Sequence, residues 1–240
     1  MDGDDSLGGV EQGRRVDLNA DLGEEITDDR GLLAVVTSAN VACGYHAGSR
    51  EVMTAVCAEA AIRGVAVGAQ VSYADRENFG RVALDVPARV LTEQVADQVG
   101  TLQQIAVAEG THVRYLKPHG ALYHRVAIDE DQAGAVLAGS GELPVLGMPG
   151  AVILKLARGL GRRTGHEGFP DRGYTDLGTL MPRGEPGALI ETTPEIVTAA
   201  LALADSVDSV CLHGDTADAV AHAHAVRRAL SDAGFALEPW

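Results

Sequence analysis

Apolar and polar positions along this chain follow two periods. Seven short segments read as strands: Val16–Asn19, Thr37–Ala42, Val65–Ala69, Val113–Leu116, Val145–Gly147, Arg163–Glu167 and Ser209–Leu212. In the first, Val16 and Leu18 alternate with Asp17 and Asn19, the period of a strand with unlike faces. Between the strands, apolar residues recur at helical spacing. Met53, Val56, Cys57 and Ala60 form one stripe, which Gly64 can end. Leu91, Val95, Val99, Leu102 and Ala106 form a longer one, with Pro87 near its start. Thr193 before Pro194 predicts the start of a helix carrying Ile196, Val197, Ala200, Leu201 and Ala204. Ala219, Ala223, Val226 and Leu230 line a last helix that Gly234 can close. The segment Phe169–Leu189, rich in Gly and Pro, is too long for a plain connection and reads as a hairpin excursion over one end of the fold.

Strands separated mostly by helices indicate an α/β fold with a largely parallel sheet, either open and doubly wound or closed as a TIM-like barrel. The polar residues decide between the two. Asn19/Asp21, Asn40/Cys43/His46, Gln70/Ser72, Lys117/His119, Glu167/Asp171/Arg172 and His213/Asp215 each follow the carboxyl end of a strand. An open sheet gathers ligands at one switch point, whereas a barrel brings all such ends to one mouth. Six bursts from seven strands favour the barrel. No break in composition follows an acidic, Gly-rich start, so residues 1–14 read as a disordered leader and 15–240 as one barrel domain.

Composition narrows the function classes. The 240 residues carry a formal net charge of -15, which argues against nucleic acid or an anionic membrane as partner. No apolar run approaches a membrane span, and no signal-peptide order appears at the start. Cys43, Cys57 and Cys211 are odd in number and lack metal-type spacing, as expected of a reducing cytoplasm.

Two stretches carry the strongest chemical signals. In Lys117-Pro118-His119-Gly120, a Lys and a His leave an apolar strand on a segment stiffened by proline; Lys117 can stabilise an oxyanion and His119 can transfer a proton. In Asn40–Gly48, glycines flank His46, a proton shuttle or metal ligand by type, while Cys43 reads as packing. His213-Gly214-Asp215-Thr216 repeats the design, although Asp215 or Thr216 can equally cap the last helix. His112, His124, His166, His222 and His224 read as surface or structural. No phosphate loop, dinucleotide fingerprint or nucleophile elbow is present.

Val16–Glu24 (VDLNADLGE), Thr37–Gly48 (TSANVACGYHAG), Lys117–Tyr123 (KPHGALY), Asp171-Arg172, Met181-Pro182-Arg183 and Leu212–Thr216 (LHGDT) together resemble the LamB/YcsF family. The resemblance runs in order over nearly the whole chain after its start. It implies a distorted seven-stranded parallel (β/α) barrel related to carbohydrate deacetylases. It also implies an ATP-hydrolysing 5-oxoprolinase activity, opening 5-oxoproline to glutamate together with partner subunits B and C. ATP, with Mg2+, is the expected co-substrate, and a homo-oligomer is compatible with the chain. Asp21, Lys117, His119 and His46 are the expected catalytic residues. Asp17, Asn19, Glu24, Asn40, Gln70, Asp171, Arg172, His213 and Asp215 are the expected substrate contacts. The chain departs from the family pattern in reading Gln70 where a His is usual, Ser49 for an Asp and Val82 for an Arg. A neutral amide is a poor metal ligand, so no intrinsic metal is expected. The alternatives are a metal-dependent deacetylase using Asp21, His46 and His119, and a non-catalytic binding subunit.

Overall fold

The structure, a computed structural model, describes residues 13–240 except 27, 177, 216 and 217. Seven parallel strands pair in sequence order: β1 (Arg15–Leu22), β2 (Ser38–Ala42), β3 (Ala66–Val71), β4 (Val113–Pro118), β5 (Val145–Gly147), β6 (Thr164–Gly168) and β7 (Ser209–Leu212). The sheet closes into a barrel because β1 pairs with both β2 and β7. An eighth strand, β8 (Ala236–Leu237), pairs in parallel with the first two residues of β1. It is absent from the seven strands the sequence pattern predicts, because two residues are too few to show a period. The leader expected at 1–14 lies outside the described residues up to position 12. Arg14, however, is fixed: its guanidinium pairs with Asp205 at 2.6 Å and lies over the Phe235 ring.

Helices α1 (Asp29–Leu33), α2 (Arg50–Arg63), α3 (Ala88–Ala108), α4 (Gly120–Arg125), α5 (Glu130–Gly139), α6 (Val152–Gly159), α7 (Thr193–Ala204) and α8 (Ala219–Asp232) connect the strands. Gly64 ends α2 in the left-handed conformation, as its position predicts. The residue before α7 is Thr192, so Thr193 already lies in the first turn and Pro194 follows it there. The excursion after β6 is a hairpin, with antiparallel bridges Arg172↔Leu189 and Tyr174↔Leu180.

Strand alternation sorts the core into two environments. Leu18, Leu22, Val41, Val67, Ala69, Val71 and Leu116 are buried among apolar helix residues such as Met53, Leu91, Leu102 and Ile196. Burying each large side chain contributes on the order of 2 kcal/mol. The alternate positions point inward and are largely polar. Within the barrel, the Tyr115 hydroxyl donates to Asn40 at 2.6 Å, and Asn40 donates to Asn19 at 2.6 Å. Asn19 in turn donates to Ser209 at 2.5 Å, and the Ser209 hydroxyl donates to Asp17. Thr37 and Ser38 also donate to Asp17, at 2.6 and 2.7 Å. Burial raises the Asp17 carboxyl above its usual range, and these donors oppose that rise. Such a network is tolerable because nearly every buried polar group finds a partner. Below it, Trp240 packs edge-on to Tyr115 and covers Gly165, where any side chain would collide with the indole.

Candidate active site

The functional side chains gather at the carboxyl ends of the strands, around a cavity of about 290 Å³. Asp21, Lys117, His119 and His213 line it, from β1, β4 and β7, although they span most of the chain. At its floor, Lys117 Nζ donates to Asp21 Oδ1 at 2.6 Å and to Cys211 Sγ at 3.1 Å, and lies 3.6 Å from Glu167. Burial alone would neutralise this lysine, but Asp21 holds its pKa well above the usual value. Burial would likewise raise Asp21, yet Lys117 pulls its carboxyl far below the usual range. Glu167, more weakly compensated, is raised by burial. Lys117 is therefore a fixed cation, fitted to stabilise negative charge rather than to act as a base.

A second group lies beside this pair. The loop after β2 carries His46, and His119 directly follows β4, its backbone N–H donating to Val71 of β3. The two imidazoles stack with centroids 4.1 Å apart, and Phe79 meets both edge-on. Their Nε2 atoms lie 3.7 and 3.6 Å from the same oxygen, Oε1 of Glu24. Gln70 Nε2 donates to that oxygen at 3.0 Å. Burial, followed by the neighbouring His46, holds the His119 pKa well below its usual value, so its ring is neutral. Close approach here depends on two glycines with positive φ. Gly80 passes over Ser72 and His46, and Gly120 packs on the Gly80 carbonyl; a Cβ on either would collide.

The third group forms the wall below the hairpin excursion. Asp171 accepts from His213 twice, from the backbone N–H at 2.8 Å and from Nδ1 at 3.0 Å, which orients the ring on Phe169. Burial would raise Asp171, but His213 brings its pKa below the usual carboxylate value. Asp215 does not cap the last helix: it pairs with Arg81 at 2.5 Å and Arg183 at 3.2 Å, and both guanidiniums line the cavity. Thr216 lies outside the described residues. Arg172 donates to the Ala188 and Met181 carbonyls and so ties the excursion together.

The expected residues thus divide by depth. Asp21, Lys117, His119, Arg172 and His213 line the cavity; Asp171 and Asp215 orient groups that do. Glu24, His46 and Gln70 are buried beneath Phe79 and Gly80. Asp17, Asn19 and Asn40, expected as substrate contacts, lie within the barrel below the site and are bonded to one another or to strand neighbours. The Asp21–His46–His119 ligand set of the deacetylase alternative does not form, because Asp21 is committed to Lys117 and Glu24 faces the imidazoles instead. His124, read from sequence as surface or structural, lines the cavity. Arg81, Arg183, Tyr123 and Phe169 line it too and were not among the expected site residues. For Arg183 the Met181-Pro182-Arg183 segment is a usable signal, since it is one of those that carry the family resemblance. Cys43 is buried, its thiol pushed up by burial.

A closed barrel of seven parallel strands with lysine, histidine and arginine side chains gathered at its carboxyl-end mouth puts the chain in the barrel class of α/β proteins, where such a mouth is the usual place of a site. Residues 16–240 match the LamB/YcsF family, and the chain belongs to it. It is 51% identical over 243 residues to the A-type 5-oxoprolinase subunit of Streptomyces avermitilis, covering 91% of this chain and 97% of that one. A lactam utilization protein from Thermus thermophilus superposes with a TM-score of 0.87 at 34% identity, covering 94% of this chain and all of the other. A peptidoglycan N-acetylglucosamine deacetylase domain from Eubacterium rectale superposes at 0.56 with 13% identity, over 96% and 90% of the two chains. That last likeness is one of fold alone.

Proposed function

We propose that this chain is the A-type component of an ATP-dependent 5-oxoprolinase, acting with partner subunits B and C to open 5-oxo-L-proline to L-glutamate. The relatives named for that activity supply the substrate, and one observation of geometry carries the chemistry. Lys117, locked as a cation by Asp21, faces a small cavity rimmed by Arg81 and Arg183. A guanidinium suits the carboxylate of the substrate, and an ammonium suits charge developing on the lactam oxygen. The amide is resonance-stabilised, so transfer of the ATP γ-phosphoryl group to that oxygen would activate the carbonyl carbon. With ADP released, water adds to the carbon and the ring C–N bond breaks as the nitrogen takes a proton. This gives the free amine and an acyl phosphate, which a second water hydrolyses to the carboxylate of glutamate and inorganic phosphate. His213, oriented by Asp171, is placed to take or return a proton in these steps.

The test is glutamate release from 5-oxoproline by the chain combined with both partner subunits and MgATP. Turnover that disappears in Lys117→Met, with the complex still assembled, supports the reading. An assembled wild-type complex that releases no glutamate overturns it.

A further inference from the structure

The cluster of Glu24, His46 and His119 is more than a packed corner. Its three ligand-type atoms lie within 4.8 Å of one another, and all three residues are buried. Neither nitrogen of His46, 1% exposed, has a hydrogen-bond partner among the described residues, and nor does Nδ1 of His119. A buried imidazole ordinarily directs at least one nitrogen at a partner. Here both Nε2 atoms converge on Glu24 Oε1 at 3.6–3.7 Å, too far for hydrogen bonds. That spacing has another meaning. Ligands bound at about 2.0–2.2 Å around a tetrahedral ion stand roughly 3.4 Å apart. The two carboxylate–imidazole spacings already approach that, and the two imidazole nitrogens, within 4.8 Å of each other on stacked rings, would reach an ion by tilting toward each other.

The surroundings are built for such a centre. Gln70 donates to the carboxylate oxygen and orients it, as outer partners of metal ligands do. Phe79 closes the site edge-on from a left-handed conformation (φ 57°) that a phenylalanine rarely adopts. Its loop is pinned there by Arg76, which pairs with Glu25 at 2.6 Å and donates to the Gly48 carbonyl at 2.7 Å. Of the three ligands only His119 reaches the cavity wall, so a coordination position left open would face substrate.

We propose that Glu24, His46 and His119 form a binding site for one divalent transition-metal ion, of the class that two imidazoles and a carboxylate select, such as Zn2+, Mn2+ or Co2+. The site is independent of the lactam reading, since an ion can bind whatever the substrate is.

The test uses the full chain, stripped with a chelator and titrated with Zn2+ by equilibrium dialysis, with Co2+ as a spectroscopic probe. One equivalent is expected to bind, and Co2+ is expected to show the visible absorption of a low-symmetry nitrogen–oxygen site. Glu24→Gln and His119→Asn should each weaken binding at least about tenfold, whereas His112→Asn, an exposed histidine, should not. Wild-type chain that binds no stoichiometric ion overturns the proposal. So does binding that is undiminished in folded Glu24→Gln and His119→Asn, which would mark attachment to the acidic surface. If the variants do not fold, imidazole 15N spectra of wild type decide. Zinc must then shift the nitrogens of two of the eight histidines, and these must be assigned to His46 and His119; shifts confined to other histidines overturn the site.

Discussion

Lys117 and Asp21, 96 residues apart in sequence, meet at 2.6 Å at the floor of the cavity, each almost wholly removed from solvent. Neither charge would persist there without the other, so each maintains the other's ionisation. Removing one partner of such a pair is costly because the remaining charge stays buried, typically by about 3–5 kcal/mol. Lys117→Met should therefore lower unfolding free energy in urea by about that amount. Adding Asp21→Asn should recover part of the loss, while glutamate release by the complex stays absent in both. A double variant no more stable than the single one would show that the ion pair does not set the stability of this floor.

The glycine crossing above the imidazoles gives a second expectation. Gly80 has φ 67°, and a methyl group there would meet both the Ser72 hydroxyl and the Cβ of His46. Gly80→Ala should destabilise the chain by about 1–3 kcal/mol and lower activity by displacing the His46–His119 stack. Relief by Ser72→Ala should be slight, since His46 remains in the way. Unchanged melting temperature and activity would show that the 74–82 loop is free to adjust.

Asp171 makes a pH-dependent contribution. Its carboxyl is buried, which alone would raise its pKa, but His213 brings it below the unfolded value. A carboxyl depressed in the folded state stabilises above the unfolded pKa, near 4. That contribution fades as pH falls through the folded value. Wild type should accordingly exceed Asp171→Asn in stability near neutrality, and the gap should narrow in acid below about pH 4. A gap independent of pH would mean that the side chain acts by shape alone.

ATP turnover is expected to require the assembled complex. The chain carries no phosphate loop, and its curated relatives are named as subunits. Purified alone it should show no ATP hydrolysis. Sustained turnover by the highly purified chain, abolished by Lys117→Met, would place the nucleotide site here instead.

Much of this arrangement was legible because barrel closure is a topological rule. Strands at 145–147 and 209–212 follow directly from apolar runs, and strand-end residues such as Asp21, Lys117 and His119 had to converge once the sheet closed. What pairs with what was not legible. Asp17, Asn19 and Asp21 share one inward face at successive pleats, so depth separates interior network from cavity, and sequence carries no measure of depth. The choice of Glu24 rather than Asp21 to face the imidazoles follows from the turn at Gly23 (φ 75°) and from the competing pull of Lys117. The second is a long-range fact, set by a partner 96 residues away. Arg81 and Arg183 acquire meaning only through Asp215, 134 and 32 residues away.

Gln70 offers the sharpest test of what this corner does. It is fully buried, and its amide donates to Glu24 at 3.0 Å, at a position where the family pattern suggests an imidazole. Histidine there would keep an N–H for the carboxylate and bring a second nitrogen to the same cluster, able to bind an ion or carry a proton. If Gln70 marks a weakened active site, the wild-type complex should turn over slowly and Gln70→His should raise glutamate release. The gain should approach the roughly hundredfold worth of a well-placed acid–base group. If the amide is instead an adapted contact, the wild-type complex should be fully active and the substitution should lower its rate. The two forms are compared with both partner subunits present and at matched stability. An unchanged rate from an active complex would remove residue 70 from the chemistry and leave it the task of orienting Glu24. Gln70→Leu should then weaken the cluster while Gln70→His preserves it.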